Sequence, residues 1–555
     1  MKKRLPIGYE DFKEVIDEGL YYVDKTMLIY DLLRNRGKNN LITRPRRFGK
    51  TLNFSMLRYF FDIAEKDNAY LFDGLKISEH FGELAQYRNA FPVITLSLKC
   101  GKQGEYSEAL KMLRYSIRQQ FIANKTVLEG ERVIEEYKRE YRKILENDDD
   151  TVWGSSIQLL SECLMQHYGK KVIILIDEYD VPLEDAYFSG YYDDMVRFIR
   201  SLFESALKTN PALEFSVITG CLRISKESIF TGLNNLEVNS ILSDIYSDFF
   251  GFVQPEVDDM LRYYGIQDKR GDMKKWYDGY TFGGSEVYNP WSVLCQTKAW
   301  AQNSGALIYS WWTNSSSNSI IRTLIEHSGE DAKSSIEKLM RGGSIETYIK
   351  ETVTYGDLTD CSENIWSFLL FTGYLKVRSV KSSGTKFVYS LIIPNLEIHG
   401  CYTDIIDEYF SKYKKTVDRG ALYKALLGKD AGGFAEMITD LLKKSISYYD
   451  NAEAFYHGLI AGLLSGNIYY RAVSNRETGS GRSDLILYQN DRFINAVIME
   501  FKVCRANEEI TAAAQRALRQ IDERDYAAEA RGIGYKNIIK YGIAFKDKIC
   551  FAITE

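Results

Sequence analysis

The chain has 555 residues, a formal net charge of -5 and 45% apolar residues. At about 150 residues per domain this excludes a single core and predicts three or four domains. The negative balance excludes a wholly cationic nucleic-acid coat but not a local basic groove.

Only 8 Pro occur and no stretch is Gly/Ser- or Pro-rich, so domains packed together are expected rather than domains on flexible linkers. The eight Cys are scattered without a C-x-x-C pair, which argues against a disulfide framework or a zinc site. No apolar run is long enough to span a bilayer, and Met1-Lys2-Lys3-Arg4 is not followed by the apolar stretch of a secretory signal. A cytoplasmic protein with no membrane partner is the expectation.

Residues 1–240 alternate strand-like and helix-like segments. A short strand at 40–43 enters a basic loop and a helix follows over 51–64. A strand at 91–98 precedes long helices at 107–124 and 128–147. A continuous apolar run at 171–176 ends in acids, and another strand spans 215–219. Such alternation predicts a parallel sheet with helices on both faces. Residues 241–400 read as a helical lid followed by a winged-helix-like region, and 401–450 as a helical connector. Residues 451–555 read as a small α/β domain: helix 453–464, strands 468–473, 484–488 and 494–503, helix 508–529, strands 538–545 and 549–553.

Arg44-Pro45-Arg46-Arg47-Phe48-Gly49-Lys50-Thr51 has the last three residues of the phosphate-loop pattern G-x-x-x-x-G-K-[ST], with Arg44 where the first Gly stands. Backbone N–H groups of such a loop, with the start of the following helix, cradle phosphate. Lys50 is expected at the β/γ-phosphates of ATP, the Thr51 hydroxyl on Mg²⁺, and Arg46 and Arg47 beside them. The competing reading is a basic turn that merely resembles the motif.

The apolar run Val172–Ile176 ends in Asp177 and Glu178, which places the acids at a strand's carboxyl end, where open α/β sheets bind ligands. Asp177 is the expected Mg²⁺ acid and Glu178 the group that polarises the attacking water. Thr219, at the tip of a third strand, is placed to sense the γ-phosphate.

Near the other end, Gly481-Arg482-Ser483-Asp484 is followed by Glu500-Phe501-Lys502. Glu500 and Lys502 lie two apart on one strand and leave the same face. Asp484 meets them if its strand pairs alongside. Two carboxylates holding Mg²⁺ or Mn²⁺ beside an ammonium are the minimum for metal-assisted phosphodiester hydrolysis. A salt-bridged strand end is the plainer alternative, although unpaired charge on an apolar strand is costly. Glu453, Glu477 and Gln520 are further polar candidates for this site, and His457 shares a helix face with Glu453.

The segments L-P-I-G-Y-E-D-F (5–12), Y-Y-V-D-K-T (21–26), R-P-R-R-F-G-K-T (44–51), L-I-D-E-Y-D (175–180), S-I-F-T-G-L-N-N (228–235), W-Y-D-G-Y (276–280), Y-N-P-W-S (288–292), I-P-N-L-E-I (393–398), G-R-S-D (481–484), E-F-K (500–502) and R-Q-I (519–521) carry a resemblance over nearly the whole chain. The chain resembles a bacterial family with an N-terminal AAA-ATPase-like domain and a C-terminal domain of the PD-(D/E)XK nuclease superfamily. The resemblance implies that Arg44 is a family feature. It matches Lys50 and Thr51 to the phosphate-loop pair and Asp177 and Glu178 to the metal and water-activating acids. Asp484, Glu500 and Lys502 match the nuclease core, with Glu453 or Glu477 as accessory acid.

The expected function is ATP-dependent control of a Mg-dependent nuclease acting on DNA or RNA, in defence or mobile-element control, with a homo-oligomer formed through the ATPase domain. The rival readings are a nucleotide-switched nucleic-acid-binding scaffold with an inactive nuclease fold, and a small-molecule kinase.

Overall fold

The computed structural model describes all residues except 1, 147–151, 224–234, 313–329, 353–354, 356–361, 415–417, 445–452, 465–468, 479–480, 491–493 and 506–507. The S-I-F-T-G-L-N-N segment falls outside the described residues apart from Asn235. The chain divides into two compact units, residues 1–318 with 344–401, and residues 319–343 with 402–555.

The first unit is built on five parallel strands, β1 (Asn39–Thr43), β2 (Val93–Ser97), β3 (Val172–Asp177), β4 (Leu213–Gly220) and β5 (Leu236–Asn239), in the order β2-β3-β4-β1-β5. Every residue of β1 and β3 is buried, which is why these strands read as continuous runs rather than alternating ones. Buried Asn39 and Asn40 in β1 are satisfied across to β4: Ser216 Oγ donates to Asn39 Oδ1 at 2.8 Å, and Asn40 Nδ2 donates to the Ser216 carbonyl at 2.8 Å. Register pairs Thr43 with Gly220 and Ser97 with Asp177, so the carboxyl ends of β1, β2, β3 and β4 share one edge of the sheet.

The single helix read at 128–147 is interrupted. A 3₁₀ turn spans Lys125–Glu129, and the helix proper is Glu135–Glu146. The backbone is extended at Gly130 (φ -69°, ψ 125°), which ends the turn, and only glycine fits there, since a Cβ would lie 2.5 Å from the His167 ring.

Beyond the sheet, the helices Gln254–Tyr264, Arg270–Tyr277 and Pro290–Gln302 enclose an aromatic core of Tyr264, Tyr277, Tyr288 and Trp300. The hairpin β6 (Tyr280–Phe282) and β7 (Ser285–Val287) lies between the second and third of them. The helix Ser362–Phe371 then precedes part of a three-stranded antiparallel sheet, β8 (Ile345–Tyr348), β9 (Lys376–Ser383) and β10 (Lys386–Ile392), in the order β8-β10-β9.

The second unit holds the sheet β11 (Tyr470–Thr478), β12 (Gly481–Gln489), β13 (Asn495–Val503), β14 (Asn537–Lys546) and β15 (Ile549–Thr554), side by side in chain order. Only β13 and β14 run parallel, and the crossover helix Ile510–Glu523 joins them. One continuous helix was expected over 508–529. Instead it stops at Glu523 and a separate helix covers Ala528–Ile533, with Asp525 between them at φ 49°. The helices Arg419–Leu427 and Ala431–Lys444 belong to the same core as the sheet, through Leu426, Phe434, Ile438 and Leu442 against Val497, Met499, Ile543 and Phe545.

The crossover helix lies unusually close to β14. A Cβ at Gly542 would fall 2.3 Å from the Ala514 carbonyl and 2.7 Å from the Leu518 nitrogen. The helix answers with small residues, Ala513, Ala514 and Ala517, all fully buried. Gly542 is the register partner of Glu500, so this close approach fixes how the helix overhangs the acidic strand.

Candidate functional site

Two clusters of candidate residues form, one in each unit. In the first, β1 delivers the chain into the loop 44–49, and the helix Lys50–Phe61 begins immediately after it. Gly49 sits at the N-cap with φ 77° and Arg47 adopts φ 69°, so the loop turns through two left-handed residues. No side chain caps this helix, which leaves its first N–H groups for a ligand. The Lys50 ammonium rests on the loop itself, donating to the Arg44 carbonyl at 2.9 Å and the Pro45 carbonyl at 2.8 Å. Phosphate oxygens are the natural replacement for those carbonyls.

Asp177 gathers the other polar groups. Thr51 Oγ1 donates to Asp177 Oδ2 at 2.8 Å, Glu178 N donates to Oδ1 at 3.0 Å, and Thr219 Oγ1 also donates to Oδ1. A hydroxyl that donates its hydrogen to a carboxylate keeps lone pairs for a cation, so Thr51 and Asp177 suit a hard divalent ion with water between. Glu178 takes φ 53°, a conformation rare outside glycine. Burial, then the charge of Asp177, pushes its pKa up.

The three loop arginines divide their work. Arg46 pairs with Glu184, which also accepts from Tyr355 Oη at 3.4 Å. Arg47 lies over the Trp291 ring at 4.5 Å from its centroid. Arg44, which stands where the loop pattern has its first Gly, is fully buried. Its guanidinium donates to the carbonyls of Thr43 and Asn239 at 2.9 Å and of Ile245 and Tyr246 at 3.3 Å, between the rings of Phe250 and Phe282. Burial holds its pKa down to about 9, so it stays charged at neutral pH. In place of a loop glycine, the chain has a cation that ties the loop to the segment after β5.

Asp180 was not singled out as a site residue, although it closes the L-I-D-E-Y-D run. It is 2% exposed, and its Oδ2 accepts from Cys221 N at 2.7 Å and Leu222 N at 3.0 Å, holding the turn that follows β4. Burial pushes its pKa up.

In the second unit, β12 pairs with β13 from Leu485 opposite Met499, which brings Asp484 beside Glu500. Asp484 Oδ2 accepts from Phe501 N at 2.8 Å. Lys502 Nζ lies 3.0 Å from Glu500 Oε1, and Gln520 Nε2 donates to the same oxygen. Tyr526 Oη accepts from Gln520 Nε2 at 3.2 Å and steadies it. Tyr526 was missed in the sequence because it lies past the end of the helix, where helical spacing gives no signal.

Glu500 is 1% exposed, and its second oxygen, Oε2, has no hydrogen-bond partner. Burial first, and then the Asp484 charge, pushes its pKa up to about 7. A buried carboxylate oxygen without a donor is the position a cation fills, so Asp484 and Glu500 fit a hard divalent ion. Among the described residues no group of three or more His, Cys, Asp or Glu gathers. Glu453 opens the helix Glu453–Leu463, and Glu477 pairs in register with Arg482, but both side chains lie outside the described residues. His457 packs its ring 6.0 Å from that of Phe501. Among the described residues, no helix is long and apolar enough to cross a membrane.

Residues 6–230 match a family model described as a predicted AAA-ATPase, and residues 451–555 match one described as the PD-(D/E)XK nuclease superfamily. The chain is also 26% identical over 545 residues to a protein of Azotobacter chroococcum mcd 1 described as an uncharacterized protein in the vnfD 5' region, a match covering 96% of this chain and 95% of the relative. The chain therefore carries an AAA-ATPase-like domain followed by a domain of the PD-(D/E)XK nuclease superfamily.

Proposed function

We propose that the chain is a nucleic-acid phosphodiesterase whose activity depends on a divalent metal and is controlled by ATP bound at the 44–51 loop. The observation that carries the reading is Glu500: a buried carboxylate with one oxygen unpartnered, beside Asp484 and Lys502.

In this reading Asp484 and Glu500 hold Mg²⁺ or Mn²⁺, which supplies an activated water and stabilises charge on the leaving oxygen. Lys502 leaves Glu500 to neutralise charge developing on the scissile phosphate, and Gln520 keeps the Glu500 carboxylate in one rotamer. Phe501 N fixes Asp484 in the same way. Glu453 or Glu477 is the accessory acid.

At the other site, Lys50 exchanges the Arg44 and Pro45 carbonyls for the β/γ-phosphates of ATP. Thr51 and Asp177 orient Mg²⁺, Glu178 positions the attacking water, and Thr219 reads the γ-phosphate through its bond to Asp177. The division of labour is residues 1–240 for nucleotide, 241–400 and 401–450 for coupling, and 451–555 for cleavage. A homo-oligomer formed through the ATPase domain and a role in defence or mobile-element control belong to the same reading.

The test is cleavage of a panel of plasmid, linear duplex, single-stranded DNA and structured RNA with Mg²⁺ or Mn²⁺, comparing wild type with Glu500→Ala. Cleavage that disappears in the variant supports the reading. Metal-dependent binding without cleavage of any substrate favours the nucleotide-switched scaffold.

A further inference from the structure

The segments 276–280, 288–292 and 393–398 give neither candidate site a carboxylate, lysine or hydroxyl, yet in the first unit they interlock around one buried acid, Glu397. Ser292 Oγ lies 2.9 Å from both Glu397 oxygens, and Trp311 N and Trp312 N donate to Oε1 at 2.8 Å and 3.0 Å. Asn289 Oδ1 accepts from Ser292 N at 3.1 Å and so holds the start of the helix Pro290–Gln302.

Asn395 ties the third segment to the first. Its Nδ2 donates to the Asp278 carbonyl at 2.8 Å, and its Oδ1 accepts from Ile398 N at 3.0 Å. Glu397 is the second residue of the helix Leu396–Lys414, and the division between the two units falls inside that helix, at Cys401 and Tyr402.

The phosphate loop reaches this network through Trp291, the residue before Ser292. The Arg47 guanidinium lies over the Trp291 ring, 4.5 Å from its centroid. Phe48, next in the loop, sets its ring 5.0 Å from that of Tyr280, in the first of the three segments. Burial holds the Arg47 pKa down, and the Glu397 charge is among those that oppose it. Burial likewise pushes the Glu397 pKa up to about 7, with the Arg47 charge opposing. The two charges thus act on each other.

The stack on Trp291 leaves Arg47 short of a partner. Its Nη1 is buried and has no hydrogen-bond acceptor among the described residues. A buried donor without an acceptor costs free energy that a new acceptor restores. Arg47 stands three residues before Lys50, and a phosphate bound by that loop supplies such an acceptor. Charge-assisted bonds to phosphate outweigh a contact with an indole face.

We propose that Arg47 is the nucleotide sensor of the first unit: bound ATP draws its guanidinium from Trp291 to a phosphate oxygen, and the contacts running through Trp291 and Ser292 to Glu397 loosen in response. The start of the helix Leu396–Lys414 is thereby set by what the loop holds. The inference rests on the reading of the 44–51 loop as an ATP site and adds to it a route by which occupancy leaves that site.

The test is hydrogen–deuterium exchange of the full chain with and without Mg²⁺ and the imido analogue of ATP, which is not turned over. The amides followed are those of Trp311 and Trp312, which Glu397 holds, and those of residues 396–401. The proteins are wild type, Arg47→Ala, Trp291→Leu and Ser292→Ala, and binding of the analogue is titrated in each.

In wild type the analogue is expected to speed exchange of these amides about tenfold, the order expected for losing a half-buried cation–π contact. Arg47→Ala and Trp291→Leu should exchange at that faster rate without nucleotide, and the analogue should change it no further. Arg47→Ala should also bind the analogue about tenfold or more weakly, as loss of a charge-assisted bond does, whereas Trp291→Leu should bind as wild type. Ser292→Ala, which deletes one hydroxyl and keeps the stack, should bind as wild type and lose the response at 396–401.

A wild type that binds the analogue with unchanged exchange overturns the relay and leaves the nucleotide reading standing. A Trp291→Leu or Ser292→Ala protein that responds in full overturns it too, and an unchanged melting temperature of Ser292→Ala keeps that result free of misfolding. A wild type that does not bind the analogue overturns both.

Discussion

The two candidate sites handle charge in opposite ways. Around the phosphate loop, Lys50 sits on two carbonyls, Asp177 takes three donors, and Arg46 pairs with Glu184. On β13, Glu500 keeps a carboxylate oxygen without a donor in a fully enclosed position. A loop bonded in this way exchanges internal bonds for ligand bonds at little net cost and suits a reversible switch. A carboxylate held short of partners gains most when a cation arrives and suits a metal centre. The contrast yields predictions at both places.

The largest effect is expected at the second site. Asp484→Ala or Glu500→Ala removes half of the described carboxylate pair and should lower cleavage by about a thousandfold or more, comparable to removing other transition-state charge stabilisers. ATP turnover should be unchanged in both variants. Equal loss of ATP turnover in the Asp484 variant would erase the distinction between two sites.

Next comes the buried cation of the loop. Arg44→Ala leaves four carbonyls without their donor and should cost about 2–4 kcal/mol, the range for losing a buried, hydrogen-bonded charge. Nucleotide binding should weaken with it, because the loop loses its tie to the segment after β5. Arg44→Gly, which restores the more usual loop residue, should be no better. A glycine variant as stable and as tight for ATP as wild type, by melting temperature and titration, would return Arg44 to the role of an incidental substitution.

The third prediction concerns pH. The folded, metal-free chain holds the Glu500 proton more tightly than the unfolded chain does, because burial and Asp484 raise its pKa from 4.5 to about 7. The folded state therefore binds more protons in that window, and unfolding free energy falls as pH rises through it, by on the order of 3 kcal/mol. Glu500→Gln should flatten that slope. With metal present the proton and the cation compete, so cleavage at limiting Mg²⁺ should rise with pH through about 7 and more metal should move the rise to lower pH. A metal-independent profile would contradict the assignment of Glu500 as a ligand.

The smallest effect is expected where a neighbour only steadies the acid. Gln520→Ala should weaken metal-dependent cleavage by about 10-fold to 100-fold, as loss of an orienting hydrogen bond does, and Tyr526→Phe by less. The effect should fall on the metal concentration needed for half-maximal rate. Gly542→Val, which forces the crossover helix away from β14, should reproduce the Gln520 defect without touching a polar group.

Much of the plan was legible in the sequence, and the reasons are local. β3 is buried on both faces, so Val172–Ile176 reads as one apolar run with its acids at the tip. Glu500 and Lys502 announce a shared face because a strand alternates with a period of two. The direction of the Arg44 side chain was not legible, because sequence gives its charge alone, and the carbonyls of Asn239, Ile245 and Tyr246, about 200 residues away, decide it. Asp180 binds backbone N–H groups about forty residues away, and Tyr526 acts from beyond a helix end. Neither contact has a periodic signature. Gly542 looks unremarkable until the helix crosses it.

The most direct test of the central claim measures ATP turnover and Mg²⁺-dependent cleavage side by side in wild type, Lys50→Ala and Glu500→Ala. The account predicts that Lys50→Ala loses ATP turnover and the ATP dependence of cleavage, while Glu500→Ala loses cleavage and keeps ATP turnover. Cleavage in the Lys50 variant that responds to ATP as wild type does would contradict nucleotide control through the 44–51 loop, and cleavage surviving in the Glu500 variant would contradict the metal centre.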